Sequence, residues 1–298
     1  MRIEHQFSIA GFEVSVSFPD GWDADTLLPS FRPFYGKKEG QEKALLKCTV
    51  CTSVENKAAM PSGELIENTL SDMGYVSLYK EAEGYCVTLS AEQGGTLHVM
   101  QADRCFSVVS VFLHEEDKRA GHALSSLLRI AYSQAVLYWD AVSIHASAVY
   151  CENKAFLFMG KSGTGKSTHS SLWMKYIQGT ELLNDDNPTL RIVDGKVYAY
   201  GTPWSGKTPC YKSLSYPVGG MVRLKQAPAN RFVRQQEVEA FIALFPGCCV
   251  IHQDAELRAC LYDTLIRMVE QVPVGVLECR PDGEAALLCR NMLLRTDK

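Results

Sequence analysis

Several features are missing from this sequence, and each absence excludes a class of protein. No apolar run approaches the roughly 20 residues that a membrane-spanning helix needs. The first residues, Met1-Arg2-Ile3-Glu4-His5-Gln6, lack the apolar core of a signal peptide. The formal net charge of −4 offers no basic field for nucleic acid or an acidic membrane. We therefore expect a cytoplasmic globular protein with no nucleic-acid or membrane partner.

A paired cysteine framework is also missing. The sequence has 11 cysteines, scattered through segments that read as strands and helices. Cys48 and Cys51 form one C-x-x-C, and Cys248 and Cys249 are adjacent, but no second well-spaced pair or histidine set accompanies them. A zinc site needs such a set, and disulfides are typical of secreted proteins. The cysteines are therefore predicted to be reduced core thiols.

The most informative stretch is a glycine-rich loop at residues 160–167. It fits the P-loop (Walker A) pattern, in which backbone N–H groups cradle phosphates, a lysine reaches the outer phosphates and a serine hydroxyl binds magnesium. Its setting also fits, because an apolar strand-like run at 154–159 precedes it and helical spacing over 166–178 follows it. The predicted nucleotide-binding residues are Gly160, Lys161, Ser162, Gly163, Thr164, Gly165, Lys166, Ser167 and Thr168.

Two adjacent carboxylates, Asp185 and Asp186, follow the apolar pair Leu182-Leu183, about 20 residues beyond the P-loop. A carboxylate at a strand end in this position can hold magnesium, and a phosphotransferase also needs a base near its acceptor hydroxyl. Neighbouring strand residues point to opposite faces, so both can face one site only where the strand ends or bends. The alternative interpretation is a solvated Asn/Asp turn before Pro188.

Two further features are candidates for the same site. His145 lies on the predicted strand 143–150, where a lone histidine is usually structural. The segment 201–207 contains two glycines, hydroxyl groups and a lysine, which makes it a candidate lid or substrate loop with Thr202, Ser205 and Lys207 as its contacts. The alternative for this segment is a surface loop with a buried Trp204.

Taken together, these motifs resemble the catalytic domain of bacterial HPr kinase/phosphorylase. The resemblance rests on Ile144-His145-Ala146, on residues 160–167 and on residues 182–186, and it covers roughly residues 140–230. The P-loop core of that family is shared with ATP-dependent phosphoenolpyruvate carboxykinase, and loop 201–207 resembles a loop of more distant members. The resembling family is oligomeric, which makes a homo-oligomer a candidate, and the sequence leaves the oligomeric state open.

The resemblance also implies roles for individual residues. Asp185 would be the catalytic base, Asp186 would assist with Mg²⁺, and His145 would sit behind the base and tune it. Lys166 would bind the β- and γ-phosphates of ATP, and Ser167 the metal. The family's glycine- and arginine-rich signature beyond the core is not recognisable in residues 218–231. The motifs therefore support kinase chemistry better than they support HPr as its substrate. Phosphorylase activity stays open.

The pattern of apolar residues predicts a mixed fold of the α+β or α/β class. Residues 1–115 read as a β-rich N-terminal domain for recognition or oligomerisation, with a hairpin over 7–18 and one helix at 62–73. Residues 116–298 read as an HPr kinase-like P-loop, PEP-carboxykinase-like catalytic domain that begins with a long helix at 116–138. Its later helices are expected at 234–245, 254–271 and 282–294, and a late strand at 274–279.

The functional prediction is an ATP- and Mg²⁺-dependent kinase that transfers the γ-phosphoryl group to a hydroxyl. The acceptor, a protein serine or a small molecule, is not specified by the sequence. Two alternatives use the same P-loop: a nucleotide-binding sensor module without efficient transfer, and a simple NTPase with water as the acceptor.

Overall fold

The computed structural model describes residues 2–36, 44–52, 60–206 and 208–295. The chain divides into two compact units, Met1–Tyr138 and Trp139–Lys298. Both units combine helices with large sheets, as a mixed fold requires. In the described part of the chain, no helix has the length and apolar character needed to cross a membrane.

The first unit is built on an eight-stranded sheet with the order β1-β2-β3-β8-β7-β6-β5-β4. Its strands are β1 (Arg2–Ile9), β2 (Phe12–Pro19), β3 (Leu46–Cys51), β4 (Glu64–Ser71), β5 (Gly74–Glu81), β6 (Gly84–Ser90), β7 (His98–Asp103) and β8 (Val108–Phe112). β3 runs parallel to β2 and β8, and the other pairs are antiparallel. Helix α1 (Ala24–Leu27) and a 3₁₀ helix (Pro29–Phe34) follow the first hairpin.

The predicted first hairpin is confirmed. Ala10 and Gly11 form its two-residue turn, and both have positive φ, of 50° and 74°. Such turns match the twist of the flanking strands, and glycine adopts them without steric cost. The alternating apolar residues of β1 and β2, including Phe7, Val14 and Val16, are buried.

The predicted helix at 62–73 is wrong, because this segment forms β4 at the edge of the sheet. Leu65 and Leu70 are both exposed here. β4 pairs antiparallel with β5 through a tight turn that closes at Ser71 and Gly74. Gly74 has φ of 113°, which favours glycine. Pairing with the next strand, β5, therefore decides the conformation of this segment.

Helix α2 (Ala120–Ala135) packs on the sheet of the first unit and continues into a 3₁₀ helix (Val136–Trp139). Its apolar stripe, including Leu124, Leu127 and Leu128, is buried. Sequence analysis assigned this helix to the second domain and put the boundary near residue 115. The compact units instead divide after Tyr138, because α2 covers strands of the first unit.

The second unit contains a nine-stranded sheet with the path β12-β10-β11-β15-β14-β13-β9, and β17 joins β15 to β16. Its strands are β9 (Ala141–Ser143), β10 (Ala146–Cys151), β11 (Lys154–Met159), β12 (Glu181–Asn184), β13 (Thr189–Val193), β14 (Lys196–Tyr200), β15 (Ser215–Gln226), β16 (Arg231–Gln235) and β17 (Val274–Cys279). Its helices are α3 (Lys166–Tyr176), α4 (Glu237–Leu244), α5 (Ala255–Val269) and α6 (Gly283–Leu294), with a 3₁₀ helix at Phe245–Gly247.

Strand β15 organises this sheet. It runs parallel to β11 and β17 and antiparallel to β14. The carboxyl ends of β11, β15 and β17 therefore meet at one edge, where open α/β sheets bind their ligands. Helices α3 and α6 cover one face over a core that includes Phe156, Trp173 and Leu277.

Two predicted elements of this unit have different limits. The predicted strand 143–150 is interrupted between β9 and β10, and His145 lies in the break. The helix predicted at 234–245 begins only at Glu237, because Arg231–Gln235 pairs as a strand with β17. Helices α5 and α6 begin near their predicted starts, since the carboxylates of Asp254 and Asp282 cap them.

Candidate functional site

The glycine-rich loop lies between β11 and α3, at the carboxyl edge of the parallel strands. Gly160, Gly163 and Gly165 have φ of 155°, 79° and 103°, and Gly165 caps the N-terminus of α3. The loop closes on itself through the Lys161 carbonyl, which accepts hydrogen bonds from the amide and hydroxyl of Thr164. Positive φ at these glycines permits the tight curl in which several amides can point at one anion.

Lys166 follows the loop and is half-buried. Its Nζ lies 3.2 Å from the Gly160 carbonyl oxygen and 2.8 Å from Nε2 of His145. Burial lowers the pKa of Lys166, and the nearby carboxylates of Asp186 and Asp185 partly oppose that effect. The lysine therefore carries its charge close to both aspartates.

His145 connects the lysine to one of the aspartates. The break between β9 and β10 sets its position, and its backbone N–H donates to the Gly247 carbonyl at 2.7 Å. A lysine ammonium only donates, so Nε2 of His145 accepts from Lys166 and the proton of the neutral ring lies on Nδ1. Nδ1 is 3.2 Å from Oδ1 of Asp186. His145 is therefore a bridge between Asp186 and Lys166.

Asp185 has entirely different surroundings, although it precedes Asp186. Its Oδ1 accepts a hydrogen bond from Oγ of Ser147 at 2.8 Å, and Ser147 contacts Oγ of Ser170 at 2.6 Å. Its Oδ2 is buried, and no described residue donates a hydrogen bond to it. The resemblance implied that His145 sits behind Asp185 and tunes it; in the structure the histidine ring contacts Asp186, and the Asp185 carboxylate accepts from Ser147.

Sequence reasoning missed Ser147 and Ser170, although a signal for each was present. Ser147 lies two residues after His145, and residues i and i+2 share a face of an extended chain. Ser170 lies four residues after Lys166, and residues i and i+4 share a face of a helix. These two periodicities, followed outward from the predicted site residues, would have identified both.

Asn184 holds the two aspartates at the end of β12. Its Oδ1 accepts from the backbone N–H groups of Asp186 and Asn187 at 3.0 and 2.9 Å. Its Nδ2 donates to the Trp204 carbonyl at 2.9 Å and to the Thr202 carbonyl at 3.3 Å. The buried Asn184 side chain therefore bends the chain at the aspartates and ties that bend to the loop that begins at Gly201.

The candidate lid loop lies against this bend. Thr202 is fully buried, and its hydroxyl donates to the Asn187 carbonyl at 2.8 Å, so it anchors the loop rather than facing a substrate. Ser205 donates to the Thr208 carbonyl at 2.7 Å. A Cβ on Gly206 would come within 2.7 Å of the Asp185 carbonyl oxygen, so the close approach requires glycine. Lys207 lies outside the described residues.

The predicted metal ligands, Ser167 and Asp186, offer a hydroxyl and a carboxylate. Ser167 is exposed in the first turn of α3, and Thr168 beside it is also exposed. No group of three or more His, Cys, Asp or Glu side chains that could hold a metal occurs among the described residues. A sparse set of oxygen donors fits Mg²⁺, which binds one or two carboxylates together with substrate phosphates and waters. It does not fit a structural zinc ion.

A cavity of about 560 Å³ lies beside the glycine-rich loop, on the side away from the aspartates in the strand order. Gly163, Gly165 and Thr168 line one wall, and Leu172 of α3 forms part of its floor. The carboxyl ends of β15 and β17 and the residues directly after them complete it with Gln226, Ala227, Cys279, Arg280 and Pro281. The loop is fixed to this side because Nε2 of Gln226 donates to the Gly163 carbonyl at 3.2 Å.

No protein-family model and no curated protein matches this sequence. Among solved structures, the chain is similar to the Hpr(Ser) kinase/phosphatase from Coxiella burnetii, with a TM-score of 0.32 and 13% sequence identity. The match covers 51% of this chain and 96% of that chain. At a TM-score of 0.32 this comparison supports no argument about the fold or the activity of the chain.

Proposed function

We propose that this chain is an ATP- and Mg²⁺-dependent phosphotransferase that acts on a hydroxyl acceptor. One observation carries the proposal: the P-loop lysine, Lys166, is linked through His145 to Asp186, and Asp185 lies beside it with one carboxylate oxygen unpaired among the described residues. A P-loop supplies phosphate binding, and the aspartates supply the metal ligand and the base that transfer to a hydroxyl requires.

The two sides of the P-loop suggest how the nucleotide lies. The aspartates follow β12 on one side of β11, and the cavity lies on the other side, toward β15 and β17. Phosphates seated on the amides of residues 160–167 would direct the γ-phosphoryl group toward Asp185 and the nucleoside into the cavity. Ligands of open α/β sheets bind in the crevice at this edge.

In this arrangement each residue has a separate task. Lys166 would bind the outer phosphates, and Ser167 and Asp186 would hold Mg²⁺. Bound Mg²⁺ would neutralise charge on the β- and γ-phosphates. Oδ2 of Asp185 would take the proton of the acceptor hydroxyl as the acceptor oxygen bonds to the γ-phosphorus, and the bond between that phosphorus and the β–γ bridging oxygen would break, so that ADP leaves. His145 would keep Asp186 and Lys166 at a fixed separation before the nucleotide arrives.

Asp185→Asn tests this function directly. The substitution keeps the shape of the side chain and removes its basicity, so Mg-ATP should still bind with a Kd within about twofold of the wild type. ADP formation should fall by about 10²-fold or more, the range for loss of a general base. ADP is measured in single-turnover experiments, with and without a panel of hydroxyl metabolites and phosphoacceptor proteins.

The outcomes separate the alternatives. ADP formation that depends on one member of the panel identifies the acceptor. If ADP forms and no acceptor accelerates its formation, the protein is an NTPase and the kinase hypothesis is rejected. A wild-type protein that binds Mg-ATP and never forms ADP would be a nucleotide sensor, and one that does not bind Mg-ATP would contradict the proposal altogether. Asp194→Asn, at the remote turn between β13 and β14, is the matched control and should change neither quantity.

A further inference from the structure

The two serines behind Asp185 have no role in the function described above. Ser147 and Ser170 are each 1% exposed, and they come from different elements, β10 and α3. Burying a hydroxyl group costs free energy unless it is hydrogen-bonded. Here the two hydroxyls bond to each other, and that of Ser147 also bonds to the Asp185 carboxylate. They connect the first turns of the P-loop helix to the candidate base.

The direction of these hydrogen bonds follows from counting protons. The Ser147 hydroxyl has one proton and donates it to Oδ1 of Asp185 at 2.8 Å. Its 2.6 Å contact with Ser170 must therefore be donated by Ser170. The result is an ordered chain in which Ser170 donates to Ser147 and Ser147 donates to Asp185. Hydrogen bonds in such a chain polarise one another, which strengthens the last one.

The hydrogen-bond chain gives the two oxygens of Asp185 different partners. Oδ1 is held by Ser147, whereas Oδ2 has no hydrogen-bond donor among the described residues and is buried. A buried carboxylate oxygen without a donor is costly, and such groups call for an explanation. Holding one oxygen fixes the plane of the carboxylate and so aims the other.

We propose that Ser170 and Ser147 are positioning residues that act in series to orient the Asp185 carboxylate, with Oδ2 as the oxygen that receives the acceptor's proton. The inference rests on the proposed function for the identity of that proton. The hydroxyls make no covalent bond and transfer no phosphoryl group. Because Ser170 lies on α3, the same helix that presents Lys166 also sets the aim of the base.

Series action predicts a specific pattern in single-turnover ADP formation from saturating Mg-ATP, with water as the acceptor. Ser147→Ala should lower the rate about 10- to 100-fold, because a hydrogen bond to a charged group stabilises by roughly 1.5–3 kcal/mol. Ser170→Ala should lower it less, by about 3- to 10-fold, since it acts only through Ser147. The double variant should match Ser147→Ala alone, which is the non-additivity of coupled residues.

Nucleotide binding distinguishes positioning from damage to the loop. The Kd for Mg-ATP should stay within about twofold of the wild type in all three variants, because none of the removed groups faces the phosphates. Ser171→Ala is the matched control, since Ser171 is the next residue of α3 and its exposed hydroxyl bonds to the Ser167 carbonyl at 2.9 Å. It should leave both rate and Kd unchanged. Equal losses of rate and affinity, or additive losses in the double variant, would overturn the proposal.

A second measurement does not depend on turnover. In protein with ¹³C-labelled aspartate carboxyl groups, the Asp185 resonance is assigned by its loss in Asp185→Asn. It should move in Ser147→Ala, move less in Ser170→Ala and stay in place in Ser171→Ala. If the wild type forms no ADP with water or with any acceptor of the panel, the proposed function fails, while this resonance still tests the hydrogen-bond chain from Ser170 to Asp185. An Asp185 resonance that stays in place in both Ser147→Ala and Ser170→Ala would refute the proposed positioning role. If Ser147→Ala does not fold, Ser170→Ala alone provides the test.

Discussion

The two units of this protein each contain a histidine paired with an aspartate, and the pairs behave differently. In the first unit, Nε2 of His98 lies 2.9 Å from Oδ2 of Asp117. In the second unit, Nδ1 of His145 lies 3.2 Å from Oδ1 of Asp186. The His98 side chain is 2% exposed and that of His145 is 44% exposed. The residue types are the same, so the difference must come from their surroundings.

The first pair is closed. Nδ1 of His98 accepts from the backbone N–H of His114 at 3.4 Å, so Nε2 carries the proton and donates to Asp117. Burial lowers the pKa of His98 and outweighs the opposing effect of Asp117. A protonated ring would also direct a second N–H toward the His114 amide. These two hydrogen bonds therefore fit the neutral form of His98, and the pair is structural.

The second pair is open. The remaining nitrogen of His145 accepts from Lys166, a charged side chain whose other contact is the Gly160 carbonyl. A bound phosphate can compete for that lysine, whereas nothing comparable can compete for the His114 amide. The third partner and the exposure of the ring, rather than the histidine and aspartate themselves, separate a structural pair from a candidate functional one.

The largest expected effect comes from removing the third partner of the open pair. Lys166→Met should raise the Kd for Mg-ATP by about 100-fold or more, because charge-assisted hydrogen bonds to phosphate are lost. Lys175→Met, near the end of the same helix, is the matched control and should bind Mg-ATP like the wild type. Isothermal titration calorimetry measures both, and unchanged affinity in Lys166→Met would mean that this lysine does not contact phosphate.

Replacing the histidine of each pair by alanine, in two separate variants, should separate the functional role of one pair from the structural role of the other. His145→Ala should lower single-turnover ADP formation by about 10-fold, as expected when a residue that orients a metal ligand is lost, and leave the urea midpoint nearly unchanged. His98→Ala should do the reverse and destabilise folding by about 1–3 kcal/mol, because Asp117 and the His114 amide lose their buried partner. Similar profiles for the two variants would contradict the comparison.

The smallest expected effect is a pH dependence of stability in the closed pair. Because the pKa of His98 is lowered in the folded state, the unfolded chain binds more protons just below the ordinary histidine pKa of about 6.5. Stability should therefore fall as the pH drops below that value, by at most about 1.4 kcal/mol per pH unit. Urea midpoints between pH 7 and pH 5 should show this loss in the wild type and a shallower one in His98→Gln, which cannot take up the proton. Equal slopes would show that His98 does not titrate differently on folding.

Much of the second unit could be predicted because its signals are local. The strand at Lys154–Met159 and the late strand Val274–Cys279 have the predicted limits. Each is an apolar run bounded by turn residues. The helix prediction for residues 62–73 was wrong because pairing with β5 decides the conformation of that segment. The boundary near residue 115 failed for a similar reason, since packing on a distant sheet assigns α2 to a unit.

For the candidate site, the sequence by itself determined which chemical groups are present and the curl of the glycine-rich loop, because glycine spacing and helix initiation act within a few residues. Only the tertiary structure decided what each group touches. Asp185 and Asp186 are adjacent in the chain, yet the carboxylate of Asp185 accepts a hydrogen bond from Ser147 and that of Asp186 lies beside His145. That divergence depends on Asn184, whose amide binds Trp204 twenty residues later, and local sequence patterns do not encode such a contact.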